Sequence, residues 1–155
     1  MLSCTEFVPL YSELFKFLDK KEGKDGVMRY WEHISDTYVR DLLGRCVEKE
    51  GLKGCWTYWK KSLNEEACDF KMTFDEENND FSIYMSNCPS RAIINKLSYM
   101  KPYKDYCGHC AVLYSRVLKE YGIEMYFSDY SKVLECQCIE RYRKIETKNK
   151  SEVNV

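Results

Sequence analysis

The sequence predicts an α+β fold: N-terminal helices followed by a four-stranded, mostly antiparallel sheet with two inserted helices. Three observations carry this. Apolar residues recur at helical spacing over the first half of the chain; the period then drops to two in "ACDFKMTF" and "FSIYMS"; and helical spacing returns twice between the later strand-like runs.

Taken in order, "VPLYSELFKFLDKK" sets Leu10, Leu14, Phe17 and Leu18 at helical spacing, and "EGKDG" breaks it. From Gly26, Met28, Trp31, Ile34, Tyr38, Leu42 and Cys46 form the stripe of a second helix ending near Gly51. A shorter third helix follows, with Leu52, Cys55, Trp56 and Trp59 as its inner side. Cys68, Phe70, Met72 and Phe74 then alternate with polar residues, "DEENND" makes a turn, and Phe81, Ile83 and Met85 alternate again, which reads as an antiparallel hairpin. In "NCPSRA", Asn87 or Cys88 can cap a helix whose first position suits Pro89. A further helix from about Tyr106 to Tyr121 ends at Gly122 and aligns Cys107, Cys110, Leu113, Tyr114, Val117 and Tyr121. Two last strands, "IEMYFS" and "KVLECQCIERYR", meet at the turn "SDYS".

At 155 residues, the chain suits one domain, expected over residues 1–143, with a polar tail at 144–155. Lys and Arg number 24 against 25 Asp and Glu without a clustered basic face, which argues against nucleic acid as a partner. The opening residues lack the basic start of a secretion signal, and no apolar run approaches the roughly 18 residues of a membrane span, so a cytoplasmic location and no membrane partner are expected. Nine cysteines in a reducing compartment mean core packing, metal binding or chemistry more often than disulfides.

The thiols concentrate in "DYCGHC" and "ECQC". Cys107 and Cys110, three apart on a helix, share its apolar face, about 5–6 Å between Cβ atoms. On a strand, Leu134, Cys136 and Cys138 would share the inward face opposite Glu135 and Gln137. Cys88, at a helix start where backbone N–H groups stabilise a thiolate, is the best single nucleophile candidate. Arg91, one turn on, could hold a substrate carboxylate. His109 falls off the Cys107/Cys110 face by helical angle, so it is expected at a pocket rim or in solvent, with a general-base role open; Asp105 is expected to cap its helix. Plain core thiols remain an alternative. So does a zinc site from Cys107, Cys110, Cys136 and Cys138, although C-x-C on a strand is an unusual second half for one. Two histidines are too few for a multi-histidine catalytic zinc site, and no Walker A, G-x-G-x-x-G, G-x-S-x-G or H-E-x-x-H motif is present.

From about Trp31 to Tyr142 the order of features resembles the L-2-amino-thiazoline-4-carboxylic acid hydrolase family. The carriers are "MSNCPSRA" with Cys88, "YCGHCAVLYSRVL" with Cys107 or Cys110, and "LECQCIERY" with Cys136 or Cys138. The chain departs where members often carry an Asp after the helix cysteine, here Leu113 and Tyr114, and at "KVLE", where Gly-Asp often precedes the last cysteine. As a divergent member it would be a small-molecule hydrolase that opens a cyclic amidine-like C–S bond without a cofactor. Cys88, Cys107, Cys110, His109 and Cys138 would then be the catalytic candidates, with Arg91, Tyr114 and Cys136 lining the substrate pocket. The alternative is a non-enzymatic cysteine-rich module for a small ligand or zinc, and a homodimer is open in either case.

Overall fold

The computed structural model describes residues 4–65 and 68–145. Helix α1 (Cys4–Ile34) bends at Gly23, whose φ of 69° is a left-handed value that a side chain would resist. This is where "EGKDG" announces a break. The chain then winds as a π-helix over Ser35–Gly44, continues as α2 (Arg45–Glu50), turns at Gly51 and enters α3 (Lys53–Asn64).

The inner faces of the first helices differ from the expected ones. In α1 the buried side is Val8, Ser12, Phe15 and Val27, while Leu10, Phe17 and Met28 are exposed. Further on, Trp31, Ser35, Val39, Leu43 and Val47 are buried at strict four-residue steps, while Tyr38 and Leu42 face out. An α-helix would drift about 40° per such step. The wider i→i+5 turns of the π stretch hold these residues on one line, which a 3.6-residue period does not anticipate.

The sheet is antiparallel throughout, in the order β1-β2-β4-β3, formed by β1 (Asp69–Asp75), β2 (Asp80–Asn87), β3 (Ile123–Asp129) and β4 (Cys138–Lys144). Its inner face runs in rows across the strands. Phe74, Phe81, Tyr142 and Met125 make one row, Met72, Ile83, Glu140 and Ser128 the next, and Phe70, Met85 and Cys138 the third. The alternation read at Cys68–Phe74 and Phe81–Met85 is the one observed. Helices α3 and α5 (Gly108–Glu120) and the π stretch close over this face around Leu43, Cys55, Trp59, Leu113, Val117 and Leu118. Trp59 stacks on Phe81 at 5.6 Å between ring centroids and leans on Tyr142 at 5.4 Å. Burying an aromatic side chain of this kind contributes roughly 2–3 kcal/mol.

Two expectations about the last strand fail. Val133–Glu135 form a 3₁₀ turn that ends at Cys136 in the left-handed region (φ 64°), so β4 begins only at Cys138. The turn leaves Leu134 exposed and takes Cys136 out of the alternation. At the other end, β4 reaches Lys144, and Ile145 N–H donates to the Gly122 carbonyl, one to two residues into the expected tail. The rest of that tail, from 146, lies outside the described residues.

A second core lies between α1, the start of α5 and α4 (Pro89–Lys96), built from Val8, Phe15, Val27, Trp31, Ile94, Tyr103 and Tyr106. Ser12 Oγ accepts the Tyr103 N–H at 2.8 Å and pins the loop before α5 to α1. The packing of α2 on α3 gives a sharp mutational expectation. A Cβ on Gly54 would stand 2.3 Å from the Cys46 carbonyl oxygen and 2.6 Å from Val47 Cα, both backbone. Gly54→Ala is therefore expected to cost about 3 kcal/mol in a urea titration; a loss below about 1 kcal/mol would mean that the two helices part without penalty.

Candidate functional site

Two helix starts and one strand deliver the site. Cys88 holds an extended backbone (φ −71°, ψ 119°) at the N-cap of α4 with Pro89 behind it, as its sequence context implies. Its N–H donates to the Cys136 carbonyl at 2.8 Å, which ties α4 to the 3₁₀ turn. Cys107 is the N-cap of α5. Asp105 contributes there through its main chain, because Gly108 N–H donates to the Asp105 carbonyl at 3.0 Å and no side chain caps the helix.

Between these helix starts and the 3₁₀ turn lies a cleft of about 270 Å³, bordered by Arg91, Lys104, Asp105, Tyr106, Cys107 and Tyr130, two cations against one carboxylate. Cys107 is thus the thiol that opens onto it. Arg91, expected to bind a carboxylate, lines the same cleft, and its buried Nε–H meets no acceptor among the described residues. A buried donor left in this state costs about 1–3 kcal/mol, which an anionic ligand would recover. The guanidinium also draws the Cys107 pKa down, against the larger upward push of burial.

Behind the cleft wall sits Glu140, 7% exposed and the one carboxylate in the three inner rows of the sheet. Its oxygens accept the Tyr130 hydroxyl at 2.5 Å and the Tyr142 hydroxyl. Burial raises its pKa above the ordinary 4.5, and the two tyrosine hydrogen bonds act in the opposite direction. Tyr130 also borders the cleft, so one residue connects the cleft wall to the buried carboxylate.

The thiols gather around this pair. Cys110 is acted on electrostatically by Glu140, Cys88, Cys138 and Cys107, and Cys138 by Glu140, Cys88 and Cys107. Burial is the main cause in each case, pushing Cys138 up to about 12 and Cys110 well above the ordinary thiol range. At neutral pH both are neutral thiols, and one acting as a nucleophile needs a base. His109 is not at the rim. It is caged by Tyr106, Tyr11, Phe15 and Trp31 at centroid distances of 5.0 to 6.3 Å, and burial lowers its pKa. The ring turns back toward the second core because the start of α5 packs against α1 there. Its Nδ1 lies against the Tyr106 carbonyl, which assigns the proton to Nδ1 and leaves Nε2 to accept from Cys110 Sγ at 3.6 Å.

The structure thus draws Cys88, Cys107, Cys110, His109, Cys138 and Arg91 to one place, keeps Cys136 at its Cys107 side, and leaves out one expected member. Tyr114 packs into the sheet core against Trp59 and Tyr58. Cys136 borders the Cys107 side, where its sulfur meets Asn95 Nδ2 at 3.5 Å, but its left-handed backbone prevents it from sharing a face with Cys138. The alternative zinc set of Cys107, Cys110, Cys136 and Cys138 does not assemble: among the described residues, no three His, Cys, Asp or Glu side chains form a metal-holding group. Glu140 and Tyr130 are the residues missed from sequence. The signal was present in the two-residue step that links Cys138, Glu140 and Tyr142.

Among the described residues no helix is long and apolar enough to cross a membrane. Compared with known proteins, the chain matches no family model and no curated protein.

Proposed function

We propose that the protein is a cysteine-dependent hydrolase of small carboxylates carrying a cyclic amidine-like C–S bond, with 2-aminothiazoline-4-carboxylate as the reference substrate. One observation carries the reading: the cleft that exposes the Cys107 thiol also holds the Arg91 guanidinium with a buried, unused N–H. The arrangement suits a ligand with a carboxylate at one end and an electrophilic carbon at the other. The family resemblance supplies the reaction class.

In this reading Arg91 binds the carboxylate, and the Cys107 sulfur adds to the amidine carbon. Its proton passes to the Tyr130 oxygen as Tyr130 passes its own to Glu140. Addition moves the C=N electrons onto the ring nitrogen. Their return expels the ring sulfur, which takes the proton back from Glu140 through Tyr130. This leaves an isothiourea on Cys107. Water then adds to the same carbon, giving one proton to the nitrogen and the other to the Cys107 sulfur as the C–S bond breaks. The products are N-carbamoylcysteine and the free enzyme thiol. Cys88, Cys110, His109 and Cys138 set the polarity behind the cleft and touch no substrate.

The test is thiol release from 2-aminothiazoline-4-carboxylate, with N-carbamoylcysteine identified by mass. Arg91→Ala is expected to raise KM about 100-fold with a smaller change in kcat, since removing a charged hydrogen-bond partner costs about 2–3 kcal/mol. Calorimetric binding of the substrate without turnover would replace the hydrolase with a small-ligand module, and neither binding nor turnover would remove both readings.

A further inference from the structure

The first half of α1 carries an apolar stripe that stays half exposed although Tyr11 stacks on Phe7 and the Lys21 ammonium lies 5.8 Å from the Phe17 ring centroid. Phe7, Leu10 and Phe17 are 51%, 55% and 56% exposed, with half-buried Leu14 between them. Their 3-4-3 spacing is that of a coiled-coil seam. The stripe lies to one side of the Val8, Ser12 and Phe15 face that packs into the second core, so the helix has two apolar sides with only one satisfied. Charges flank the open side in a polarised order, with Glu6 and Glu13 toward the N-terminus and Lys16, Lys20 and Lys21 toward the bend. Lys16 Nζ already bridges Glu13 at 2.6 Å.

We propose that this stripe is a self-association surface on which α1 of a second copy packs antiparallel about a two-fold axis near residue 12. With the seams in register, Phe7 meets the second copy's Phe17 and Leu10 its Leu14. The two flanks then bring Glu6 alongside Lys20, twice by symmetry. A parallel pairing would set Glu6 beside the rings and aliphatic side chains of the opposite flank and lose that match. The same axis brings Glu13 of the two copies side by side, each already bridged by its own Lys16, so the two Glu6–Lys20 pairs are what select the direction. The exposed apolar area amounts to roughly 300 Å² per copy, well below the ~800 Å² per partner of stable complexes, so association is reversible and weak. The stripe lies on the outer side of α1, away from the cleft, and the proposal does not depend on the catalytic reading.

Sedimentation velocity of the full chain from about 5 to 500 µM, the range in which weak association shows, tests it. The expected result is a monomer–dimer equilibrium that Leu10→Glu or Phe17→Glu shifts at least tenfold toward monomer, with the circular dichroism of the parent retained because both residues are exposed. Lys20→Glu is expected to weaken the dimer, and Glu6→Lys combined with Lys20→Glu to restore it. A chain that stays monomeric across the range overturns the proposal, as does a dimer indifferent to Leu10→Glu and Phe17→Glu. If that monomer floats with phosphatidylglycerol vesicles, the stripe belongs to a lipid surface instead. A dimer that loses stability on Leu10→Glu but not on Lys20→Glu overturns the antiparallel register.

Discussion

Cys107→Ala is expected to reduce ring opening about 1,000-fold or more while leaving the fold intact, whereas Cys88→Ala retains most of the activity. Both sulfurs lie in the same thiol cluster, and access separates them: Cys107 opens onto the cleft beside Arg91, while Cys88 stands behind it at the N-cap of α4. Removing a nucleophile eliminates a covalent route, and losses of this kind are large and show in kcat. A second readout is independent of the substrate. One equivalent of iodoacetamide should label Cys107 first, as read by peptide mass, because Cys107 lines the cleft beside Arg91 whereas Cys110 and Cys138 do not. A fully active Cys107→Ala protein, or first labelling at Cys88, would transfer the nucleophile's role.

Glu140→Gln is expected to remove two pH dependences of opposite sign, a kcat that rises with pH and a stability that falls with it. In the proposed route Glu140 accepts a proton through Tyr130 and has to be ionised, so kcat should rise with pH through its titration. The substitution should remove that limb and about 100-fold of rate. Tyr130→Phe should do the same. Stability runs the other way. The folded-state pKa is raised, so the native state holds a proton that the unfolded chain releases near the ordinary 4.5. The contribution is full below that value and is lost as pH climbs through the raised one, with a slope approaching about 1.4 kcal/mol per pH unit inside the window. Gln carries no such charge, and urea titrations of the variant should be flat there. A variant that loses stability equally at every pH and keeps the parent pH profile of kcat would make Glu140 a structural residue only.

The sheet was legible because its strands have one wet face, so alternation at Cys68–Phe74 and Phe81–Met85 reports directly which side is buried. The helix starts at Pro89 and near Cys107 were legible from local chemistry. The faces of the first helices were not, since their phase is set by the bend at Gly23 and by π winding, and neither changes composition. Within the site, the inward direction of Cys107, Cys110 and Cys138 followed from spacing. Glu140 escaped because a charged residue is read as outward by default, although it shares the parity of Cys138 and Tyr142. Cys136 was misplaced by a single left-handed residue, which sequence does not mark when that residue is not glycine. His109 turned inward because its cage of rings comes from α1, about a hundred residues earlier in the chain, and helical angle carries no information about such a partner.

The π-helical stretch between Ser35 and Gly44 gives residue count a role separate from residue identity. It works as a gear between the two cores, setting the angle at which Trp31 and Phe15 meet His109 while Leu43 and Val47 stay on the sheet side. Omitting one residue there and letting the segment wind as an ordinary α-helix would turn sixteen residues in four turns into fifteen at about 100° each, and so swing α1 by about 60° against everything after it. The rings that hold His109 would then be carried away from the start of α5, the segment that presents Cys107. Changes of side chain along the outer side of this stretch leave that gearing untouched, and a change in its length by one does not.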